Sequence, residues 1–234
     1  MDKRKLKELI AEHKDRFISA RGLAKRGIQK EIQRYLPQKE MIVLTGVRRS
    51  GKSSLMRLIA QDLIQVSGAA AQNIFYLNFE DERLVSFTVA DFEPLYEAFL
   101  ELEKPTGRKY LFLDEIQNVP GWEKWLNRLY EFEDVKLFVT GSNASLLSPE
   151  IASALTGRNR QIALWPFSFS EFVQWRGFSF DEKNLFRRDD KIRLKSLFQE
   201  YFISGGFPEV LKNGDSSLLE QYYQDILYRD VIAR

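Results

Sequence analysis

Apolar residues near the start of the chain recur at helical spacing: Leu6, Ile10 and Phe17, then Ile28, Ile32 and Leu36. That pattern predicts two helices between residues 3 and 36, closed by Pro37. The period then changes. Residues 41 to 45 are a short β-rich apolar run ending in a glycine loop, after which Leu55, Leu58, Ile59, Leu63 and Val66 resume the helical spacing. Strands are expected again at 74 to 79, 110 to 113, 137 to 140 and 161 to 165. Helices are expected at 91 to 102 (capped by Asp91), at 122 to about 132, and briefly near 149 to 155. Trp122, Trp125, Leu126, Leu129 and Tyr130 have the spacing of a helix face packed on a sheet. Strands alternating with helices imply a parallel sheet covered on both faces, with ligands bound beyond the carboxyl ends of the strands. From Phe169 onward helices take over, at 170 to 176, 191 to 204 and 217 to the end, with Gly205 and Gly206 as an expected hinge. The expected organisation is N-terminal helices (1–38), an α/β core with five parallel strands (39–168) and a smaller helical subdomain (169–234).

Composition narrows this picture. A chain of 234 residues, 44% hydrophobic and 29% charged, suits one large domain or a core with an appendage. With no cysteine, disulfides, zinc–cysteine sites and thiol catalysis are excluded, and any metal is expected on oxygen ligands. No apolar stretch approaches the ~18 residues of a membrane helix, so a cytoplasmic protein without membrane contact is expected. The net charge of +2 gives no global pull toward nucleic acid. Basic residues crowd positions 1 to 30 and read as a solvated helix face, ahead of a nucleic-acid or phosphate contact; His13, the single histidine, is expected on that surface.

The chemistry starts at Gly46-Val47-Arg48-Arg49-Ser50-Gly51-Lys52-Ser53, followed by Ser54. Glycines at those two positions let the backbone curl until its N–H groups converge on phosphate oxygens. The helix that follows aims its unpaired N–H groups at the same anion, Lys52 reaches the outer phosphates, and Ser53 offers its hydroxyl to Mg2+. This is a P-loop, and it calls for ATP with magnesium; no guanine-reading Asn-Lys-x-Asp motif is present.

Leu111-Phe112-Leu113-Asp114-Glu115 puts two carboxylates at the end of a buried strand. Asp114 suits the outer shell of Mg2+, and Glu115 suits activation of the water that attacks the γ-phosphate. That placement fits the additional-strand class of P-loop ATPases. Asn143, with Ser142 as second choice, is expected to hold the attacking water or touch the γ-phosphate at the end of the next strand. Arg158 is expected as an arginine finger, in cis or across a subunit interface, with Arg160, Arg48 and Arg49 as rivals. Glu80 and Asp81 close the second strand and read as a solvated turn or as groups facing the magnesium or a partner.

Together, the loop, Leu-Phe-Leu-Asp-Glu-Ile-Gln (111–117), Thr-Gly-Ser-Asn-Ala-Ser-Leu-Leu (140–147), Leu-Thr-Gly-Arg (155–158) and Ser-Gly-Gly-Phe-Pro-Glu-Val (204–210) resemble the AAA+ ATPases of bacteria and archaea that carry a C-terminal domain of unknown function. The likeness runs from about residue 30 to the end. Ser53 stands where the family more often has threonine, and Asn143 where serine or alanine is frequent. The resemblance implies an ATPase core followed by a helical or winged-helix-like region, with the family's terminal domain expected to be lacking. The leading expectation is ATP hydrolysis coupled to a conformational change in a partner protein or DNA, with homo-oligomer formation open. A slow nucleotide-gated switch is the alternative. A small-molecule kinase would share the loop but needs an acceptor pocket.

Overall fold

The computed structural model describes residues 2–141, 146, 153–179 and 181–228. Its centre is a parallel sheet of β1 (Met41–Thr45), β2 (Ile74–Asn78), β3 (Lys109–Asp114), β4 (Val135–Thr140) and β5 (Asn159–Ala163), in the order β2-β3-β4-β1-β5. The helices are α1 (Lys3–Ile18), α2 (Gln29–Tyr35), α3 (Lys52–Gln65), α4 (Phe92–Glu103), α5 (Trp122–Phe132), α6 (Phe169–Trp175), α7 (Arg188–Ser204), α8 (Pro208–Asn213) and α9 (Ser217–Ile226).

Every residue of β1 and β4 is buried, so the central strands are covered on both faces. Alternate residues divide between two cores, as the strand period of two requires. Met41, Val43, Leu111, Leu113, Leu137 and Val139 pack with α4 and α5, and Trp122, Trp125, Leu126 and Leu129 close that layer. Ile42, Leu44, Phe112 and Phe138 pack with α3 on the other side. Helix α1 packs against the edge strand β2 and contributes to both layers, with Leu6, Leu9 and Ile10 in one and Phe17 in the other. It thereby covers an edge that would otherwise invite pairing. A third cluster, around Phe167, Phe172, Val173, Phe178 and Leu211, organises the helical region; among its described residues from 169 onward there is no strand.

Four expectations are corrected by packing. Strand β4 starts at Val135 rather than 137, because Lys136 is a buried strand residue whose ammonium donates to the carbonyls of Tyr35, Gln38 and Glu40. Asp91 does not cap α4. Its carboxylate accepts the N–H and hydroxyl of Thr88 one turn earlier. His13 is buried rather than exposed, since α1 lies on β2; its Nε2 meets Asp81 Oδ2 at 2.8 Å, and Asn78 N donates to Nδ1 at 3.3 Å. Strand β5 runs from Asn159 to Ala163 rather than from 161 to 165, because Asn159 and Arg160 pair with Met41 and Ile42 of β1. The basic run of residues 1 to 30 is also less solvated than its composition suggests. Lys3 and Lys7 pair with Glu101 on α4, and Lys14 pairs with Glu103.

Candidate functional site

The carboxyl ends of β1 and β3 meet at a cavity of about 990 Å³ lined by Arg48, Arg49, Gly51, Lys52, Ser53, Ser54, Glu80 and Glu115, together with residues 20–24, Pro208 and Tyr222. Strand β1 delivers the loop. Gly46 has φ 147°, and a Cβ there would sit 2.2 Å from Leu164 O, so glycine is required by conformation and by space alike. Gly51 (φ 98°) precedes α3, whose first residues Lys52, Ser53 and Ser54 turn into the cavity. The Lys52 ammonium rests on Gly46 O (3.1 Å) and Val47 O (3.4 Å). Ser50 Oγ is buried without a partner, a donor held in reserve inside the loop. A ring of amides, an ammonium and an unpaired hydroxyl around glycine-made space is what a phosphate chain requires.

Strand β4 lies between β1 and β3, which sets the two acids across from the loop rather than beside it. Asp114 is almost fully buried and pinned at both oxygens. Thr140 donates its hydroxyl to Oδ1, and Tyr76 donates to Oδ2 at 3.0 Å. Burial, and the neighbouring Asp114 charge, keep the Tyr76 phenol protonated well above its ordinary range. Glu115 follows in left-handed backbone (φ 53°), with its N–H on Thr140 Oγ1 at 3.0 Å and its carboxylate 4.0 Å from Lys52. Burial raises the Glu115 carboxyl above its ordinary value, against the Gln117 amide and the Lys52 charge, which lower it. Ser53 brings a hydroxyl to the cavity, and Asp114 a carboxylate that is buried outside the lining with both oxygens accepting hydrogen bonds. Among the described residues no cluster of three or more His, Asp or Glu could hold a metal alone, so this donor set suits a hard ion completed by phosphate oxygens and water.

The remaining candidates divide. Arg48 approaches Glu80 at 3.8 Å, and Glu80 lines the cavity with Glu115 while Asp81 turns away to His13 and Arg83. Arg49, also at positive φ (63°), leaves the loop to pair with Glu209 on α8 and lies 4.6 Å over the ring of Tyr222, whose hydroxyl donates to Glu209 at 2.8 Å. Arg158 is not brought to the loop of its own chain. Its carbonyl accepts Met41 N–H where β1 begins, at the opposite end of the sheet, so a finger acting in cis is corrected by the strand direction. Arg160 sits at that end as well, against Glu40 and the ring of Tyr35. Ser142 and Asn143 lie outside the described residues, as does most of the expected helix near 149 to 155.

Residues not singled out from the sequence complete the site. Thr140 ends a buried strand, and its part in the site depends on β4 lying beside the acid-ended β3, which the sequence does not give. Arg26 was lost within the basic run. Its buried guanidinium donates to Ser50 O (3.1 Å), Trp165 O (2.6 Å) and Glu171 Oε1 (2.9 Å), tying the N-terminal segment, the loop and α6 together.

Comparison with known proteins agrees with this geometry. Residues 38–173 match the family described as AAA domain. An uncharacterized protein of Methanocaldococcus jannaschii is 33% identical over 211 residues, 88% of this chain and 45% of that one. An uncharacterized protein of Haemophilus influenzae is 36% identical over 197 residues, 82% of this chain and 46% of that one. The chain thus spans less than half the length of these relatives. In fold it is similar to the Saccharomyces cerevisiae Hsp104:casein complex in its extended conformation, with a TM-score of 0.54 and 19% identity over 82% of this chain and 36% of that one. With its phosphate loop, its acid-ended third strand and its sheet order, the chain belongs to the AAA domain family of P-loop ATPases found in bacteria and archaea.

Proposed function

We propose that this chain binds ATP with magnesium and hydrolyses it, converting the change at the phosphate loop into movement of the helical segment against a partner. The observation that carries this reading is the meeting of Lys52, which opens α3 after β1, with Glu115, which follows β3, 4.0 Å apart across the end of the intervening β4, with Asp114 fixed beside Glu115. A cation and an acid so placed can address the two sides of one phosphoryl group.

The loop amides of residues 46–53 and the Lys52 ammonium bind the β- and γ-phosphates, and Lys52 exchanges its loop carbonyls for phosphate oxygens. Ser53, and Asp114 through water, would hold Mg2+, which when bound neutralises charge on those oxygens. Glu115 accepts the proton of the attacking water and aligns it with the γ-phosphorus. Residues 20–24 also line the cavity and would face the base and ribose. Arg158, remote from its own loop, would serve as a finger only toward a neighbouring copy; that places homo-oligomer formation within the proposal. Among the described residues no helix is long and apolar enough to cross a membrane. A protein or DNA partner is the expected recipient of the movement, and the Arg49–Glu209–Tyr222 contact is the route by which the loop would reach α8 and α9.

Steady-state phosphate release with ATP and magnesium, with and without double-stranded DNA, tests the reading. Glu115→Gln should keep nucleotide binding and lose turnover by about 10²-fold or more. Equal loss of binding would remove the division of roles, and binding without release from the parent chain would favour the slow nucleotide-gated switch.

A further inference from the structure

Three irregularities gather around one carboxylate. Glu115 adopts left-handed backbone (φ 53°, ψ 43°), which a residue with a Cβ takes only when its surroundings hold it there. Gln117, two residues on in the 3₁₀ turn Ile116–Asn118, donates its Nε2–H to Glu115 Oε2 at 2.7 Å. The direction of that amide follows from chemistry, since its carbonyl oxygen would repel a carboxylate. Gln117 Oε1 is consequently left buried with no partner, a cost that a turn selected for stability alone avoids. The third irregularity is the space this oxygen occupies. It lies against Gly141, the residue after β4, where a Cβ would stand 2.2 Å from Gln117 Oε1 and 2.8 Å from Leu146 Cγ. Any larger residue at 141 would push the amide off the carboxylate.

We infer that Gln117 is a positioning residue for Glu115, and that Gly141 is the space that admits its amide. With Oε2 occupied by the amide and the main-chain N–H fixed on Thr140, rotation of the carboxyl group is stopped, and Oε1 is the oxygen left facing Lys52. The inference rests on the reading of Glu115 as the group that activates water. It adds that the orientation of Glu115 is set by a side chain that touches neither water nor phosphate.

The test compares Gln117→Leu, Gly141→Ala, Glu115→Gln and the double variant Gln117→Leu/Glu115→Gln in phosphate release. Gln117→Leu and Gly141→Ala are expected to lower kcat by on the order of 10- to 100-fold with KM for ATP within about twofold, the scale expected when a catalytic group is misplaced. The double variant is expected to be no slower than Glu115→Gln, because Gln117 then has nothing to position. A second readout uses the nucleotide-free, 15N-labelled chain: the side-chain amide resonance of Gln117 is expected to move on Glu115→Gln. A normal kcat in Gln117→Leu beside an inactive Glu115→Gln, a further loss in the double variant, or an unmoved amide resonance overturns the assignment of Gln117. Turnover retained by Glu115→Gln, or none from the parent chain, overturns the reading of Glu115 itself.

Discussion

The two ends of the sheet are built to different rules. At the amino ends of the strands, polar groups are matched to backbone: Lys136 donates to three carbonyls, Arg108 to Pro37 O and Gln38 O, and Asn73 to Thr106 O and Arg108 O, with Arg108 Nε the exception left unpaired. At the carboxyl ends the same strands run into Gly46, Arg49 and Glu115 at positive φ, and into buried, unpaired atoms at Arg48 Nε, Ser50 Oγ and Gln117 Oε1. At the amino ends positive φ occurs in exposed turns, at Lys104 and Gly107; strain within buried surroundings and unmet hydrogen bonds collect at the end where a parallel sheet binds its ligand.

That contrast breaks most readily at Lys52. Lys52→Ala should raise the dissociation constant for a fluorescent ATP analogue by about 100-fold or more, while the melting temperature of the nucleotide-free chain stays the same or rises. A large fall in melting temperature would mean that this end, too, is built for stability. Lys136→Met should behave in the opposite sense. Leaving three carbonyls short of a donor should cost about 2 kcal/mol in urea unfolding, with nucleotide affinity unchanged; an affinity change would couple the two ends. A smaller effect is expected at Glu171, which holds Arg26 against the loop. Burial pushes its carboxyl up, but the Arg26 guanidinium and the amides of Ser168 and Gly27 outweigh that and hold it below the ordinary range. A carboxyl lowered in the fold stabilises fully above its unfolded value, near pH 4.3, and this contribution is lost as pH falls further. Glu171→Gln should therefore lower stability at pH 7 and flatten its decline between about pH 5 and pH 3. An unchanged slope would show that Arg26 is satisfied by the carbonyls alone.

The sequence was most legible where chemistry constrains backbone. The glycines at 46 and 51, the lysine and the serines declare a phosphate loop because few other tasks need that combination, and an apolar strand ending in Asp114-Glu115 is equally constrained. Strand order was not legible. Residues 74–78 and 135–140 are both apolar runs, and only packing decides that β4 stands between β1 and β3. The same gap hid Thr140, whose role depends on which strand is its neighbour, and it made Arg158 a candidate at a loop it does not reach. Buried charges were the other blind spot. Nothing in composition separates Arg26, Lys136 or His13 from solvated residues, since each is buried by a segment distant in the chain.

Arg26 carries a consequence for how the molecule comes into being. Its guanidinium bridges Ser50 to Glu171, which lies 145 positions beyond Arg26 itself, and α1 supplies Leu6, Leu9, Ile10 and Phe17 to both main cores. The stretch 38–173 that matches the family is therefore expected to lose stability when cut away from the first 37 residues. Trimmed to it, the chain would bare the β2 edge and leave the Ser50 and Trp165 carbonyls without their donor. Contacts so distant in sequence close late, after the loop entropy between them has been overcome. The phosphate loop is therefore expected to take its final shape only when α6 has met the first turns of the chain.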